Sequence, residues 1–144
     1  MPTGTAAGKG AELLLDTTAA IALILEDHEG HVALVDAVRG RRLGLAGHAW
    51  FETYSVLTRL PGGLRRSPED AHRILARNFP ASRFLDEGSA TDLAKDLASL
   101  GIAGGSVYDA LVGAAARQHR RPLLSRDTRA RSTYDALAVR VEAV

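Results

Sequence analysis

Glu12-Leu13-Leu14-Leu15-Asp16-Thr17-Thr18-Ala19-Ala20 is the stretch on which the reading of this chain turns. Three consecutive leucines are too few for a helix and are unbroken by polar residues. Glu12 to Leu15 is therefore expected to be a strand buried on both faces, as parallel sheets require. Asp16 ends the run. With Thr17 it offers an N-cap for a helix from Thr17 to Leu25. A buried strand feeding directly into a capped helix opens a βαβ unit.

The pattern continues outward. After Gly30, His31 to Val38 carries apolar residues at Val32, Val35 and Val38 and reads as a second helix. Leu43 to Ala46 reads as a second strand. Ala49 to Leu60 is a helix ended by Pro61-Gly62-Gly63. Ser67-Pro68-Glu69-Asp70 has the composition of a helix start, with a cap, a proline at the first helical position and acids in the first turn, and that helix runs to about Asn78. Ser82 to Leu85 is expected as a third strand, Ser89 to Leu100 and Ser106 to His119 as helices, and Pro122 to Ser125 as a fourth strand. Thr128 to Leu137 is partly helical, and Ala138 to Glu142 is a fifth strand. No repeat or linker divides the chain. The expected organisation is a mobile N-terminal tail over residues 1–11 and one α/β domain over 12–144.

Composition narrows the function classes. At 144 residues the chain is long enough for one core. It has no cysteine, which excludes disulfides and thiolate metal sites and is compatible with a reducing, cytoplasmic setting. No apolar run approaches the roughly 20 residues of a membrane span. The net charge is only +1, yet sixteen of the eighteen basic residues are arginines, whose planar fork suits phosphate. Arg39-Arg41-Arg42, Arg65-Arg66 and Arg117-Arg120-Arg121 are clusters able to flank a phosphate backbone.

Four acids stand out by position: Asp16, Glu52, Asp109 and Asp127. Each has an ordinary structural explanation. Asp16 can cap the first helix, Glu52 can sit favourably in the first turn of a helix, Ser106-x-x-Asp109 resembles a capping box, and Asp127 can make an Asx-turn. Together, however, they occupy the C-terminal ends of two expected strands and the first turns of two expected helices. In an open parallel sheet those places face one crevice. Carboxylates gathered there repel by roughly 4 kcal/mol per pair at 4 Å and an effective dielectric of 20. A divalent cation among the oxygens accounts for such a cluster, and all-oxygen ligation favours Mg²⁺ or Mn²⁺ over Zn²⁺. The chemistry such a site supports is phosphodiester hydrolysis. Clustered charge also implies that removing one carboxylate stabilises the metal-free protein.

The succession Leu14-Leu15-Asp16-Thr17-Thr18-Ala19, Glu52-Thr53-Tyr54-Ser55-Val56-Leu57-Thr58-Arg59-Leu60-Pro61, Tyr108-Asp109-Ala110-Leu111-Val112-Gly113-Ala114-Ala115-Ala116 and Leu124-Ser125-Arg126-Asp127 resembles the PIN-domain family. Within it, the chain is most similar to the VapC ribonuclease toxins of bacterial toxin–antitoxin modules. The resemblance covers about Leu13 to Val144. It implies a three-layer α/β/α sandwich around a parallel five-stranded sheet and Mg²⁺- or Mn²⁺-dependent RNA cleavage. It also implies a cognate VapB-like antitoxin and a homodimer. Asp16, Glu52, Asp109 and Asp127 fall on the family's acidic quartet, as catalytic and metal-binding residues. Ser125 falls where the family often carries a hydroxyl, and Ser125, Arg126 and Thr17 are candidate substrate contacts or supports. The stretch from Trp50 to Phe79 corresponds to the region that, in relatives, helps receive the antitoxin and form the dimer.

The remaining features weigh less. The five histidines show no metal-ligand spacing and are read as surface or loop residues, with His48 the nearest in sequence to Glu52. Trp50, Phe51 and Tyr54 are read as core or dimer contacts, with base stacking as the sharper alternative. Gly101-x-x-Gly104-Gly105-Ser106 lacks the lysine of a phosphate loop and is read as a turn. A response-regulator receiver would need a lysine after its last strands, and none follows Lys95. A haloacid-dehalogenase-type phosphatase would need an acid where Thr18 stands. The strongest rival of another class is a non-catalytic RNA-binding or interaction module on a PIN-like fold.

Overall fold

The computed structural model describes residues 10–144, so residues 1–9 of the expected tail lie outside the described residues. Four strands form one wholly parallel sheet in the order β2-β1-β3-β4: β1 is Glu12–Leu15, β2 Arg42–Leu45, β3 Leu123–Ser125 and β4 Val141–Ala143. Seven α-helices cover it: α1 Thr17–Ile24, α2 His31–Val38, α3 His48–Thr58, α4 Pro68–Asn78, α5 Glu87–Ser99, α6 Ser106–Gln118 and α7 Arg131–Ala136. Among the described residues no helix is long and apolar enough to cross a membrane.

The strand of leucines explains the layering. Successive side chains of β1 point to opposite faces. Leu13 and Leu15 pack with Ala19, Leu34, Leu57 and Leu75, from the α1 to α4 side, while Leu14 packs with Ala110, Ala114 and Tyr134, from the α6 and α7 side. In β3, Leu123 joins the second group and Leu124 the first. Both faces of the sheet are thus buried, giving the expected α/β/α sandwich. β1 is flanked by β2 on one side and β3 on the other, so the chain order reverses between β1 and β3. That is the switch point where parallel sheets open a crevice beyond their C-terminal ends.

The expected third strand, at Ser82–Leu85, is a correction, and it leaves four strands in the sheet where five were expected. This segment runs beside β2 but makes only one isolated bridge, Ala46 with Arg83. The reason is local. Ala81 N–H donates to Leu43 O and Arg83 N–H to Leu45 O, as a parallel ladder demands. Leu45 N–H, however, goes to the hydroxyl of Ser82 at 2.9 Å rather than to a backbone carbonyl. A side chain has replaced one rung. Gly44 permits the close approach, because a Cβ there would overlap the backbone of Ala81 and Ser82.

At the N-terminal end of the strands Glu12 gathers three arginines. Arg83 Nη2 and Arg121 Nε each donate to its Oε1 at 2.9 Å, and Arg42 Nε lies 3.9 Å from Oε2. The hydrogen bond from Arg83, then that from Arg121, holds the Glu12 pKa below its ordinary value. A depressed carboxyl pKa stabilises the fold above the unfolded value and loses that contribution as pH falls through the folded one. Glu12→Gln is expected to cost about 1 to 2 kcal/mol at pH 7, or roughly 3 to 8 °C in Tm for a chain of this size. The gap from wild type should narrow as melts are taken below the ordinary glutamate pKa and close once the pH lies below the depressed folded value. A pH-independent difference would show that packing, rather than charge, is lost.

Candidate active site

The first site carboxylate is built into the turn that starts α1. Asp16 follows β1 at the switch point, and its backbone N–H donates to Leu124 O on β3. Its side chain is buried, at 3 % exposure. Oδ1 accepts from Ala19 N at 3.0 Å, the N-cap bond, and from Thr18 Oγ1 at 2.7 Å. Oδ2 accepts from the Tyr134 hydroxyl at 2.9 Å. The Thr18 hydroxyl in turn accepts from Arg126 N at 3.0 Å, tying the start of α1 to the chain leaving β3.

The last acid is held by a second turn. Asp127 lies two residues beyond β3. Its N–H donates to Ser125 Oγ at 3.0 Å, while its Oδ1 accepts from Arg129 N at 2.9 Å and Ala130 N at 3.2 Å. The expected Asx-turn is therefore present. Ser125 is buried and supports Asp127 rather than facing the crevice alone. Arg129 Nη2 lies 3.4 Å from Asp127 Oδ2.

The other two acids are less engaged. Glu52 sits one turn into α3, where His48 Nε2 lies 3.9 Å from its Oε1. The His48 ring stacks on exposed Tyr108 at 5.2 Å between centroids, which brings the start of α3 against the start of α6. Asp109 lies in the first turn of α6. The capping box expected of Ser106-x-x-Asp109 does not form: Gly105 is the N-cap and no side chain caps the helix. That leaves Asp109 without the structural role its spacing suggested. Its pKa is raised, first by burial and then by the negative charge of Asp127; Arg129 opposes this, and Glu52 and Asp16 add to it. The four acids from four different elements therefore share one electrostatic neighbourhood.

Among the described residues no three His, Asp or Glu side chains converge tightly enough to cage an ion as they stand. The donor set nonetheless fits a hard divalent cation. It is all oxygen, and the one acid with a raised pKa, Asp109, is destabilised by the other three carboxylates, a repulsion that a cation would relieve.

Tyr134 and Thr18 were not singled out in the sequence. Tyr134 is buried in the core, and burial, followed by the charge of Asp16, pushes its pKa up, so its hydroxyl stays a donor. The only signal for it was an aromatic residue late in the expected C-terminal helix, which reads as core. Thr18 was visible only as a hydroxyl two residues after an acid. Thr17, which was singled out, has a buried hydroxyl with no hydrogen-bond partner among the described residues. The histidine reading needs adjusting. His31 and His119 bond the Ala22 and Phe84 carbonyls, and His28 Nδ1 accepts from Gly30 N, so these rings secure backbone turns. Trp50 stacks on Tyr54 at 5.7 Å and meets His72 of α4, as core packing predicts, whereas Phe51 is exposed beside Phe84.

The raised Asp109 pKa fixes a sign. Native Asp109 holds its proton to higher pH than unfolded Asp109, so stability falls as pH rises through its folded pKa. In EDTA at pH 7, Asp109→Asn is expected to melt above wild type by a few degrees. The gain should vanish near pH 3, where the wild-type carboxyl is protonated in both states. A variant that melts lower at pH 7 would show that the carboxylate makes a net favourable contact.

Comparison with known proteins agrees with this arrangement. The PIN domain family matches residues 13–136. Ribonuclease VapC27 of Mycobacterium tuberculosis is 46% identical over 129 residues, covering 90% of this chain and 94% of the relative. Ribonuclease VapC40 of the same species is 44% identical over 131 residues, covering 90% and 96%. Among solved structures, VapBC2 from Rickettsia felis bound to a DNA fragment from its promoter gives a TM-score of 0.66 at 10% identity, over 92% of this chain and 98% of that one. FitAcB from Neisseria gonorrhoeae gives 0.62 at 22% identity, over 90% and 95%. At such identities the likeness to solved structures concerns the fold. The matched span runs from the first strand to the last helix and takes in all four carboxylates, and the chain belongs to the PIN-domain family.

Proposed function

We propose that this chain is the ribonuclease toxin of a toxin–antitoxin pair and hydrolyses RNA phosphodiester bonds at Asp16, Glu52, Asp109 and Asp127. The observation that carries the reading is that four acids from four different elements meet at the switch point, where Asp109, its pKa raised first by burial, also feels the charges of Asp127, Glu52 and Asp16. The names of the relatives, VapC ribonucleases, support the reaction class. Glu52 and Asp109 offer carboxylates with few competing partners. Asp16 and Asp127 add oxygens whose directions are fixed by Thr18, Tyr134 and the Asx-turn. Mg²⁺ or Mn²⁺ held by these oxygens would lower the pKa of a water and neutralise charge on the phosphate. Because water is the nucleophile and the RNA 2′-hydroxyl takes no part, cleavage leaves a 5′-phosphate and a 3′-hydroxyl. Tyr134 stays protonated and keeps Asp16 in one orientation throughout.

The reading extends to partners. The neighbouring folds are VapBC and FitAcB assemblies, which supports a VapB-like antitoxin for this chain. A homodimer is supported by Phe51 and Phe84, two exposed aromatic rings that meet at a tilt, 6.0 Å between centroids. The site of action would be the cytoplasm, where RNA is available.

Purified protein is expected to cut single-stranded RNA with Mn²⁺ and not with EDTA. Asp109→Asn and Asp16→Asn should each lower turnover by about 100-fold or more, since several kcal/mol of transition-state stabilisation is at stake. A 2′,3′-cyclic phosphate end would exclude the water mechanism, and full turnover in either variant would exclude the site and favour a non-catalytic RNA-binding module. Expression of the chain alone is expected to slow growth, with recovery when the small protein encoded beside it is co-expressed. Equal growth in both cultures, at matched expression, would count against the antitoxin.

A further inference from the structure

Beside the acid crevice lies an open groove of about 600 Å³, walled by Thr17, His28, Val56, Arg126, Asp127 and Arg129. It touches the site at Asp127 and runs away from it between α1, α3 and the turn before α2. Its charge is opposite to that of the crevice. Arg126 is the unusual member. Its side chain is 25 % exposed, yet among the described residues its guanidinium makes no hydrogen bond. Glu29, the one acid near it, is 3.9 Å away and 87 % exposed. Arginine has five donors, and a partly buried guanidinium whose ion-pair contact among the described residues is the loose 3.9 Å approach of Glu29 has donors left over for an anion from outside the fold.

Gly30 shows that this placement is built in. The Arg126 guanidinium lies flat against the Gly30 backbone, so that a Cβ on Gly30 would come within 2.5 Å of Cζ and Nε. Gly30 has φ −88°, which any residue adopts. Absence of a side chain, rather than backbone freedom, is what the position requires. Gly30 thus leaves room for the Arg126 guanidinium beside the groove, which the side chain lines. Arg129 adds an exposed charge at the rim, shared with Asp127.

We propose that Arg126, seated in the Gly30 notch, binds a backbone phosphate of the RNA strand next to the one being cut. The inference rests on the ribonuclease reading above. Four carboxylates repel a polyanion, so a strand can settle over them only if a neighbouring phosphate is held by compensating charge. The groove supplies that charge at the edge of the site, on the strand's path away from Asp127. Arg126 is a positioning residue: it touches substrate one phosphate away from the reacting atoms.

The test uses the full chain carrying Asp109→Asn, so that RNA is bound without being cut. Binding of a labelled single-stranded RNA is measured across a KCl series for this protein and for the same protein with Arg126→Gln or Gly30→Ala added. Losing one phosphate contact should weaken binding about tenfold at moderate salt and flatten the slope of log K against log[salt] by about 0.7. Gly30→Ala keeps the charge but displaces it, and should lose the same increment with an unchanged circular dichroism spectrum. With Asp109 intact, Arg126→Gln should raise KM and leave kcat within about twofold. An unchanged salt slope in both variants would overturn the proposal. So would weakened binding of the small protein encoded beside the chain with RNA binding intact, which would assign the groove to the partner protein. An Arg126-dependent slope in a wild type that cuts no RNA would support the phosphate site and sink the cleavage reading.

Discussion

Everything at the site hangs on the buried carboxylate of Asp16. It stands where β1 ends, at the point where the order of the sheet reverses. Through one side chain it caps α1, orders Thr18 and receives the hydroxyl of Tyr134 from α7, 118 residues later. Thr18 extends the same network to the backbone of Arg126. A carboxylate this deeply buried is tolerated because three donors satisfy it. The consequence is that the start of α1, the chain leaving β3 and the last helix are locked to one another around an anion. The other acids are then brought to it by helices α3 and α6, whose first turns meet through His48 and Tyr108.

The four acids differ in how far the fold satisfies them. Asp16 and Asp127 are anchored by backbone N–H groups and hydroxyls, and their structural roles as caps are real. Glu52 has a loose contact with His48, and Asp109 has none of the hydrogen bonds its spacing promised. The two fixed carboxylates set the geometry. The two free ones carry the unrelieved charge. The proposed site, which would accept a cation and release a product, would benefit from this division: rigid oxygens define position, and the less engaged ones adjust. The cost is visible in Asp109, whose ionised form the fold disfavours.

Sequence pattern made most of this legible. β1 was readable to the residue because three leucines bounded by acids leave no other choice, and α4 because its Ser-Pro-Glu-Asp start is chemically explicit. The acids were findable because strand ends and helix starts share a crevice by topology. What sequence could not supply is whatever depends on a long-range partner. Tyr134 looks like any core aromatic until Asp16 is placed beside it. The Ser82–Leu85 segment has the composition of a strand, but its Ser82 hydroxyl takes a rung of the ladder, and nothing local announces that. The Gly30 notch is equally silent, because its meaning lies in Arg126, nearly a hundred residues away.

The two ends of the sheet treat carboxylates in opposite ways. At the N-terminal ends of the strands, Glu12 is surrounded by Arg42, Arg83 and Arg121 and its ionised form is favoured. At the C-terminal ends, among the described residues, Arg129 is the one arginine paired with any of the four acids, and Asp109 is pushed the other way. Arginine is abundant in this chain, so the scarcity of pairing at the crevice is a matter of placement and not of supply. Arg126 is the clearest case. It is one residue from Asp127, yet its guanidinium lies in the space Gly30 leaves at the turn before α2, toward Glu29, and makes no ion pair with the four acids. A salt bridge there would have relieved the site and closed it. Keeping the cation beside the carboxylates but not upon them leaves both charges available, as the proposed metal at the negative set and the proposed strand at the positive one would each require.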